Sequence, residues 1–128
     1  MIAQFEYSTH YNPAAPIMEI GISAVENSGL QRTITALVDS GADGTMIPIN
    51  VLRAVGATFV ERRNMRGVTG ERVRVNLYAI VVYIGSHPIY GIRAVAVPSE
   101  TEAILGRDAL NQLIVTLNGL AYSLEVST

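Results

Sequence analysis

The chain contains no cysteine, no lysine and no tryptophan, and each absence narrows its chemistry. Without cysteine there are no disulfides, thiol nucleophiles or thiolate metal sites, and the redox compartment cannot be read. All nine basic residues are Arg, which removes Schiff-base lysine chemistry and the phosphate-binding lysine of a Walker loop. Only His10 and His87 carry imidazole, so one chain cannot build a site from several histidines, and a Ser-His-Asp triad would have to use one of these two. Aromatics make up only 6%. No apolar run reaches the ~18 residues that span a bilayer. The first twenty residues, with Glu6, Pro13, Pro16 and Glu19, lack the basic start and apolar stretch of a signal peptide. A soluble, cytoplasmic protein with no membrane partner is expected. A formal charge of −2 and a pI near 5.6 speak against non-specific nucleic-acid binding, so no nucleic-acid partner is expected.

What is present is 49% apolar, mostly Val, Ile, Leu and Ala, in 128 residues. That length suits a single domain over 1–128 with a sizeable core, divided into an N-terminal arm (1–16) and a core (17–126). The arm is irregular, with a short strand around Ala3 to Tyr7. Ile17 to Val25 alternates, with Met18, Ile20 and Ile22 on one face, and reads as a strand. Glu26-Asn27-Ser28-Gly29 reads as a turn, and Leu30 to Val38 as the next strand.

Asp39 to Gly44 breaks that strand, and Thr45-Met46-Ile47 resumes it. Pro48 opens a short helix, Ile49 to Val55, which Gly56 stops. Phe59 to Met65 and Glu71 to Tyr78 flank Gly67-Val68-Thr69-Gly70, a β-hairpin tip. Ala79 to Ile84 and Ile89 to Val97 are strands joined at Gly85 to Pro88; the first is read as core. Ala103 to Gly106 is short and apolar, and Arg107 to Gln112 reads as a helix. Ile114 to Leu117 and Leu120 to Val126 form a hairpin across Asn118-Gly119. About eight short strands and two short helices predict an all-β, closed barrel-like fold.

The informative segment is Leu37-Val38-Asp39-Ser40-Gly41-Ala42-Asp43. A carboxylate follows two apolar residues, Ser40 can fix the loop by side-chain hydrogen bonding, and Gly41 allows a tight turn and close approach. A positioned catalytic carboxylate needs such a rigid, partly dry seat. A plain turn is the simpler reading of Asp-Ser-Gly alone. A calcium loop fits poorly: Asp39, Asp43 and Gly44 match its positions 1, 5 and 6, but position 3 is Gly41 and position 12 is Asn50.

The wider pattern resembles the retroviral-type aspartic proteases, the retropepsins. Leu37 to Thr45 resembles their active-site segment of two apolar residues, Asp, Thr or Ser, Gly, Ala. Ala103-Ile104-Leu105-Gly106-Arg107-Asp108-Ala109-Leu110 resembles the segment that enters their C-terminal helix. Met65 to Gly70 stands where they have a glycine-rich flap. The three matches occur in order and cover about residues 17 to 126.

The resemblance implies a single-lobe, homodimeric acid protease fold and an aspartic endopeptidase acting on peptide or protein substrates, with neither metal nor cofactor. The chain has one Asp-Ser-Gly, so a carboxylate pair requires Asp39 from two chains. Such a pair shares one proton and titrates as a unit. The ionised member activates water; the protonated member hydrogen-bonds the scissile carbonyl. Ser40 matches the residue that braces the two loops across the dimer, and Gly41 the one whose carbonyl receives the substrate backbone. Ala42, Asp43, Ile47, Val68 and Ile104 are candidate substrate contacts, with apolar preference from Ala42, Ile47, Val68 and Ile104. Gly67, Val68, Thr69 and Gly70 form the flap. Arg107 matches an Arg that pairs with the acid after the catalytic loop, here Asp43, and Gly106 precedes it as structural support.

Three features depart from the pattern. The first Arg is Arg32, so an N-terminal Arg that crosses to the partner is missing. Gly44 stands where some viral members have an acid. The arm is longer, leaving Leu120 to Val126 as candidate interface strand.

Arg62, Arg63, Arg66, Arg72 and Arg74 cluster around the hairpin tip. A solvated face partly neutralised by Glu61 and Glu71 is the simpler reading; attraction of an acidic peptide or a nucleic acid is the alternative. His10 reads as an arm residue, His87 as a turn residue, and Tyr78, Tyr83 and Tyr90 as packing residues. Two rivals to the enzyme stand: a retropepsin-like dimerisation or peptide-binding module that no longer cleaves, and an unrelated small β-barrel in which Asp39 is structural.

Overall fold

The computed structural model describes residues 2–67 and 69–128. Ten strands and two short helices are present among them: β1 (Ala3–Glu6), β2 (Ile17–Ala24), β3 (Asn27–Val38), β4 (Met46–Pro48), α1 (Ile49–Ala54), β5 (Thr58–Arg66), β6 (Arg72–Ile84), β7 (His87–Val97), β8 (Ala103–Leu105), α2 (Arg107–Leu110), β9 (Ile114–Asn118) and β10 (Ser123–Ser127). None of the described helices is long and apolar enough to cross a membrane.

The larger sheet runs β2-β3-β8-β4-β7-β6-β5, and β2 pairs again with β6. That second pairing closes β2, β3, β8, β4, β7 and β6 into a ring, the barrel expected from the sequence. Ring closure works because β6 changes partner along its length. Residues 72–79 pair with β5, whereas Ile80 to Tyr83 pair with β2. β7 flanks the other side from Leu77 onward. Residues 72–76 therefore pair with β5 alone, and β5 with this part of β6 forms a two-stranded ribbon projecting from the ring.

Alternation decides what fills the barrel. On β2, Met18, Ile20 and Ile22 are buried and Glu19 is exposed. β6 contributes Ile80, Val82 and Ile84; β7 contributes Ile89, Ile92 and Ala94; Leu52 and Val55 close the cluster from α1 and its end. The run Ala79 to Ile84 is core, as its β-branched composition suggests. Burying each of the Met, Ile, Leu and Val side chains among them contributes about 1.5–3 kcal/mol. Gly56, at φ +68°, ends the helix where a side chain would be strained.

Two turns differ from expectation. The β2–β3 hairpin turns at Val25-Glu26, because Ala24 pairs with Asn27 and the polar Asn27-Ser28-Gly29 continues the strand. The β9–β10 loop is Gly119 to Tyr122, four residues rather than two: Ser123 pairs with Asn118. Tyr122 takes φ +52° there. Its carbonyl accepts the Tyr7 N–H at 2.8 Å, and its ring stacks on Tyr7 at 5.9 Å. Tertiary contact with the arm outweighs the local Asn-Gly preference.

The arm is thus part of the packing. β1 pairs with β10, and Ile2, Ala3, Phe5 and Tyr7 pack against the core. The small sheet runs β1-β10-β9. Leu120 to Val126, the candidate interface strand, contributes β10, which pairs with β1 on one side and β9 on the other within the chain. The edge strand β9 is the one with an open side near α2.

Candidate active site

The Asp39 loop exists because β8 is threaded between β3 and β4. β3 and β8 run parallel, with Val38 opposite Leu105, and β4 returns antiparallel to β8. Residues 39–45 must therefore cross over the exit of β8. The Asp39 N–H donates to the Leu105 carbonyl at 3.1 Å, which fixes the loop to that exit. The Gly41 N–H donates to Asp39 Oδ1 at 2.9 Å and the Ala42 N–H to the Asp39 carbonyl at 3.2 Å. Asp39 is half-buried, while Ser40 and Gly41 are exposed.

The crossing is tight at Gly106. A Cβ there would lie 2.6 Å from the backbone of Gly44 and 3.1 Å from the Ala42 carbonyl oxygen. Only glycine fits this approach. The Arg107 N–H then donates to the Ala42 carbonyl at 2.9 Å. Its guanidinium donates to the Ser40 carbonyl at 2.8 Å and pairs with Asp43. The structure thus brings Asp39, Ser40, Gly41, Ala42, Asp43, Gly106 and Arg107 into one hydrogen-bonded unit.

A second clamp involves residues that carried no role in the sequence reading. Thr45 is fully buried. Its hydroxyl donates to Asp108 Oδ1 at 2.7 Å, and its N–H to Asp108 Oδ2 at 3.1 Å. The Thr45 hydroxyl also accepts the Gly106 N–H at 3.2 Å, and the Thr45 carbonyl accepts the Val95 N–H at 2.9 Å. This network holds the Thr45 end of the loop to α2 and β7. Its one sequence signal is the polar Thr45 beside the apolar Met46-Ile47.

The remaining candidates are dispersed. Ile104 is half-buried on β8. Ile47 is fully buried in the core cluster, so it backs the site rather than presenting a surface to substrate. Gly67, Thr69 and Gly70 stand at the ribbon tip: the Gly67 N–H donates to the Glu71 carbonyl at 2.7 Å, the Gly70 N–H to the Gly67 carbonyl at 3.0 Å, and the Thr69 hydroxyl to Glu71. Val68 lies outside the described residues.

Two grooves flank the loop. The first, about 420 Å³, lies between the ribbon and the far end of the loop; Asp43, Gly44, Arg63, Arg66, Arg93 and Asp108 are among its walls. The second, about 270 Å³, is apolar apart from Ser40 and is lined by Val38, Leu110, Leu113, Val115 and Leu117. Among the described residues, no three His, Asp or Glu side chains converge as metal ligands would.

The chain matches the retroviral aspartyl protease family over residues 12–118. Its fold is similar to that of a retropepsin-like aspartic protease from Rickettsia conorii, with TM-score 0.61 and 13% identity over 98% of this chain and 94% of that one. It is also similar to EIAV protease complexed with the inhibitor HBY-793, with TM-score 0.57 and 19% identity over 84% of this chain and 93% of that one. No curated protein matches the chain in sequence.

Proposed function

The chain belongs to the retroviral aspartyl protease family, and from that premise we propose that it is a homodimeric aspartic endopeptidase in which Asp39 of two subunits activates water. One observation carries this reading. The chain has a single Asp-Ser-Gly, and its Asp39 loop is hydrogen-bonded to β8 and α2 while Ser40 and Gly41 face outward. A carboxylate pair can then form only by docking a second copy over Ser40.

The surface around Ser40 supports that docking. The apolar groove of Val38, Leu110, Leu113, Val115 and Leu117 adjoins it, and the edge strand β9 exposes Ile114 and Leu117. Apolar side chains next to an open strand edge are suited to burial against another chain. In the dimer, two close carboxylates share one proton, because ionising both is costly. The ionised Asp39 takes a proton from water, whose oxygen attacks the scissile carbonyl carbon. The protonated Asp39 donates to the carbonyl oxygen, which becomes the hydroxyl of a tetrahedral intermediate. Collapse returns a proton to the leaving amine and breaks the C–N bond. The Gly67 to Gly70 tip, with Val68, serves as the cover that excludes water. Ala42, Asp43 and Ile104 contact substrate, and Gly106 and Arg107 support the loop.

The test is digestion of an unbiased peptide mixture, read by mass spectrometry, with Asp39→Ala in parallel at the same high protein concentration. Defined cuts that vanish in Asp39→Ala are expected. Cuts that persist in the variant refute the role of Asp39. A confirmed dimer without any cuts replaces the enzyme with a non-cleaving peptide-binding module of the same fold.

A further inference from the structure

We propose that the groove between the ribbon and the Asp39 loop is a subsite for an acidic side chain of the substrate, at a position removed from the cut bond. The inference rests on the peptidase reading above and names a substrate class for it. Asp39 is not among the groove's lining residues, whereas Arg63, Arg66 and Arg93 are. A volume near 420 Å³ lies within the ~300–1,000 Å³ of ligand sites.

The charges around it are unequally matched. Both lining acids already have partners within the chain, the exposed Asp43 in Arg107 and Asp108 in the Thr45 hydroxyl and N–H. Arg63 pairs with Glu61. Arg66 and Arg93 have no carboxylate partner among the described residues. Arg66 also stands directly opposite Arg72 in the β5–β6 register. Like charges so placed repel, and an anion beside them offsets that repulsion.

A structural reading of these arginines explains only some of them. Charged residues on an edge strand such as β5 discourage pairing with other sheets. Arg93 is on β7, opposite Ala79 of β6 and short of the Val95–Val97 stretch that β4 covers, so it does not belong to the exposed edge of β5. Gly44 and Gly91 both line the groove, and a Cβ at either would meet nothing within 4 Å. A guanidinium offers paired donors to a carboxylate, which makes the contact directional as well as electrostatic.

The experiment uses matched peptides derived from a sequence the protein cleaves. Glu or Gln is placed in turn at each position from the second to the fifth on either side of the cut. The readout is the Glu:Gln ratio of kcat/KM, and in parallel the Glu:Gln affinity ratio for Asp39→Asn, measured by fluorescence anisotropy. A ratio of about ten is expected at one position. It should fall toward one in Arg66→Gln/Arg93→Gln, recover in part in Arg66→Lys/Arg93→Lys, and drop below one in Gly44→Asp. Ratios near one at every position, or a ratio unchanged in Arg66→Gln/Arg93→Gln, overturn the inference. If the affinity ratio behaves as described yet Asp39→Asn still cleaves these peptides, the peptidase reading built on Asp39 fails while the acidic subsite stands.

Discussion

Replacing Thr45 by Val keeps the shape of the side chain and removes its hydroxyl, which isolates the clamp on the Asp39 loop. Two losses follow in the folded state. The hydroxyl no longer donates to Asp108 Oδ1, now 2.7 Å away; a hydrogen bond to a charged group contributes about 1.5–3 kcal/mol. The Gly106 N–H, which donates to that hydroxyl at 3.2 Å, is left without a partner in a buried place, at a cost of about 1–3 kcal/mol. The two share one atom and are not independent, so about 3 kcal/mol is the expected total. Over 128 residues, an unfolding entropy of ~2.1 cal/mol/K per residue converts this to a Tm lower by roughly 11 °C. The assay is thermal unfolding by circular dichroism at one fixed protein concentration, because the Tm of the proposed dimer would depend on concentration. Thr45→Ser keeps the hydroxyl and should lose far less. In a double-mutant cycle with Asp108→Ala, a coupling of at least about 1 kcal/mol is expected. A Thr45→Val Tm within about 3 °C of wild type, or strictly additive single variants, would refute the reasoning.

Further expectations concern the loop and the dimer. Gly106→Ala drives a Cβ to 2.6 Å from the Gly44 backbone; overpacking of this kind costs about 1–3 kcal/mol, so Tm should drop by roughly 4–11 °C, and a variant as stable as wild type would show the crossing to be loose. Leu117→Asp puts a charge on the exposed side of β9 and should abolish dimerisation in analytical ultracentrifugation while circular dichroism stays that of the folded chain; an intact dimer would move the interface elsewhere. Asp39→Asn should remove cleavage and leave the dimer assembled, read by peptide digestion and sedimentation on one sample. Arg107→Ala loses the Ser40 carbonyl and Asp43 contacts; because the guanidinium is partly exposed, about 1 kcal/mol, or a Tm lower by roughly 4 °C, is expected. An unmoved Tm would remove the anchoring role.

Local signals carried much of this architecture. The alternation of Met18, Ile20 and Ile22, the Pro48 and Gly56 limits of the first helix, and the glycines at Gly67 and Gly70 each depend on neighbours in the chain. The Asp39 segment and its Gly106-Arg107 counterpart were visible as motifs, and their distance in the sequence is bridged by the parallel pairing of β3 with β8. What local pattern could not show was partner exchange. The division between Glu71 to Tyr78 and Ala79 to Ile84 falls one residue from where the strand leaves β5 for β2, but local composition could not show that one continuous strand serves both partners, because that depends on ring closure. Asp108 looked like a helix residue until Thr45 was brought to it across the fold. Arg93 gave no signal beyond one polar residue between Ile92 and Ala94, and only the pairing of β7 places it beside the ribbon's arginines.

The ribbon has a practical consequence. A two-stranded hairpin without a third strand is only marginally held, and here that stretch contains Arg62, Arg63, Arg66, Arg72 and Arg74, five of the nine residues after which trypsin can cut. Arg53 and Arg107 belong to helices, and Arg32 and Arg93 to strands of the ring. Limited trypsin digestion should therefore nick first between Arg62 and Arg74 and leave the barrel whole. A ligand seated against Arg63 and Arg66 would slow those cuts, so the digestion pattern becomes an occupancy gauge that needs neither a labelled substrate nor turnover.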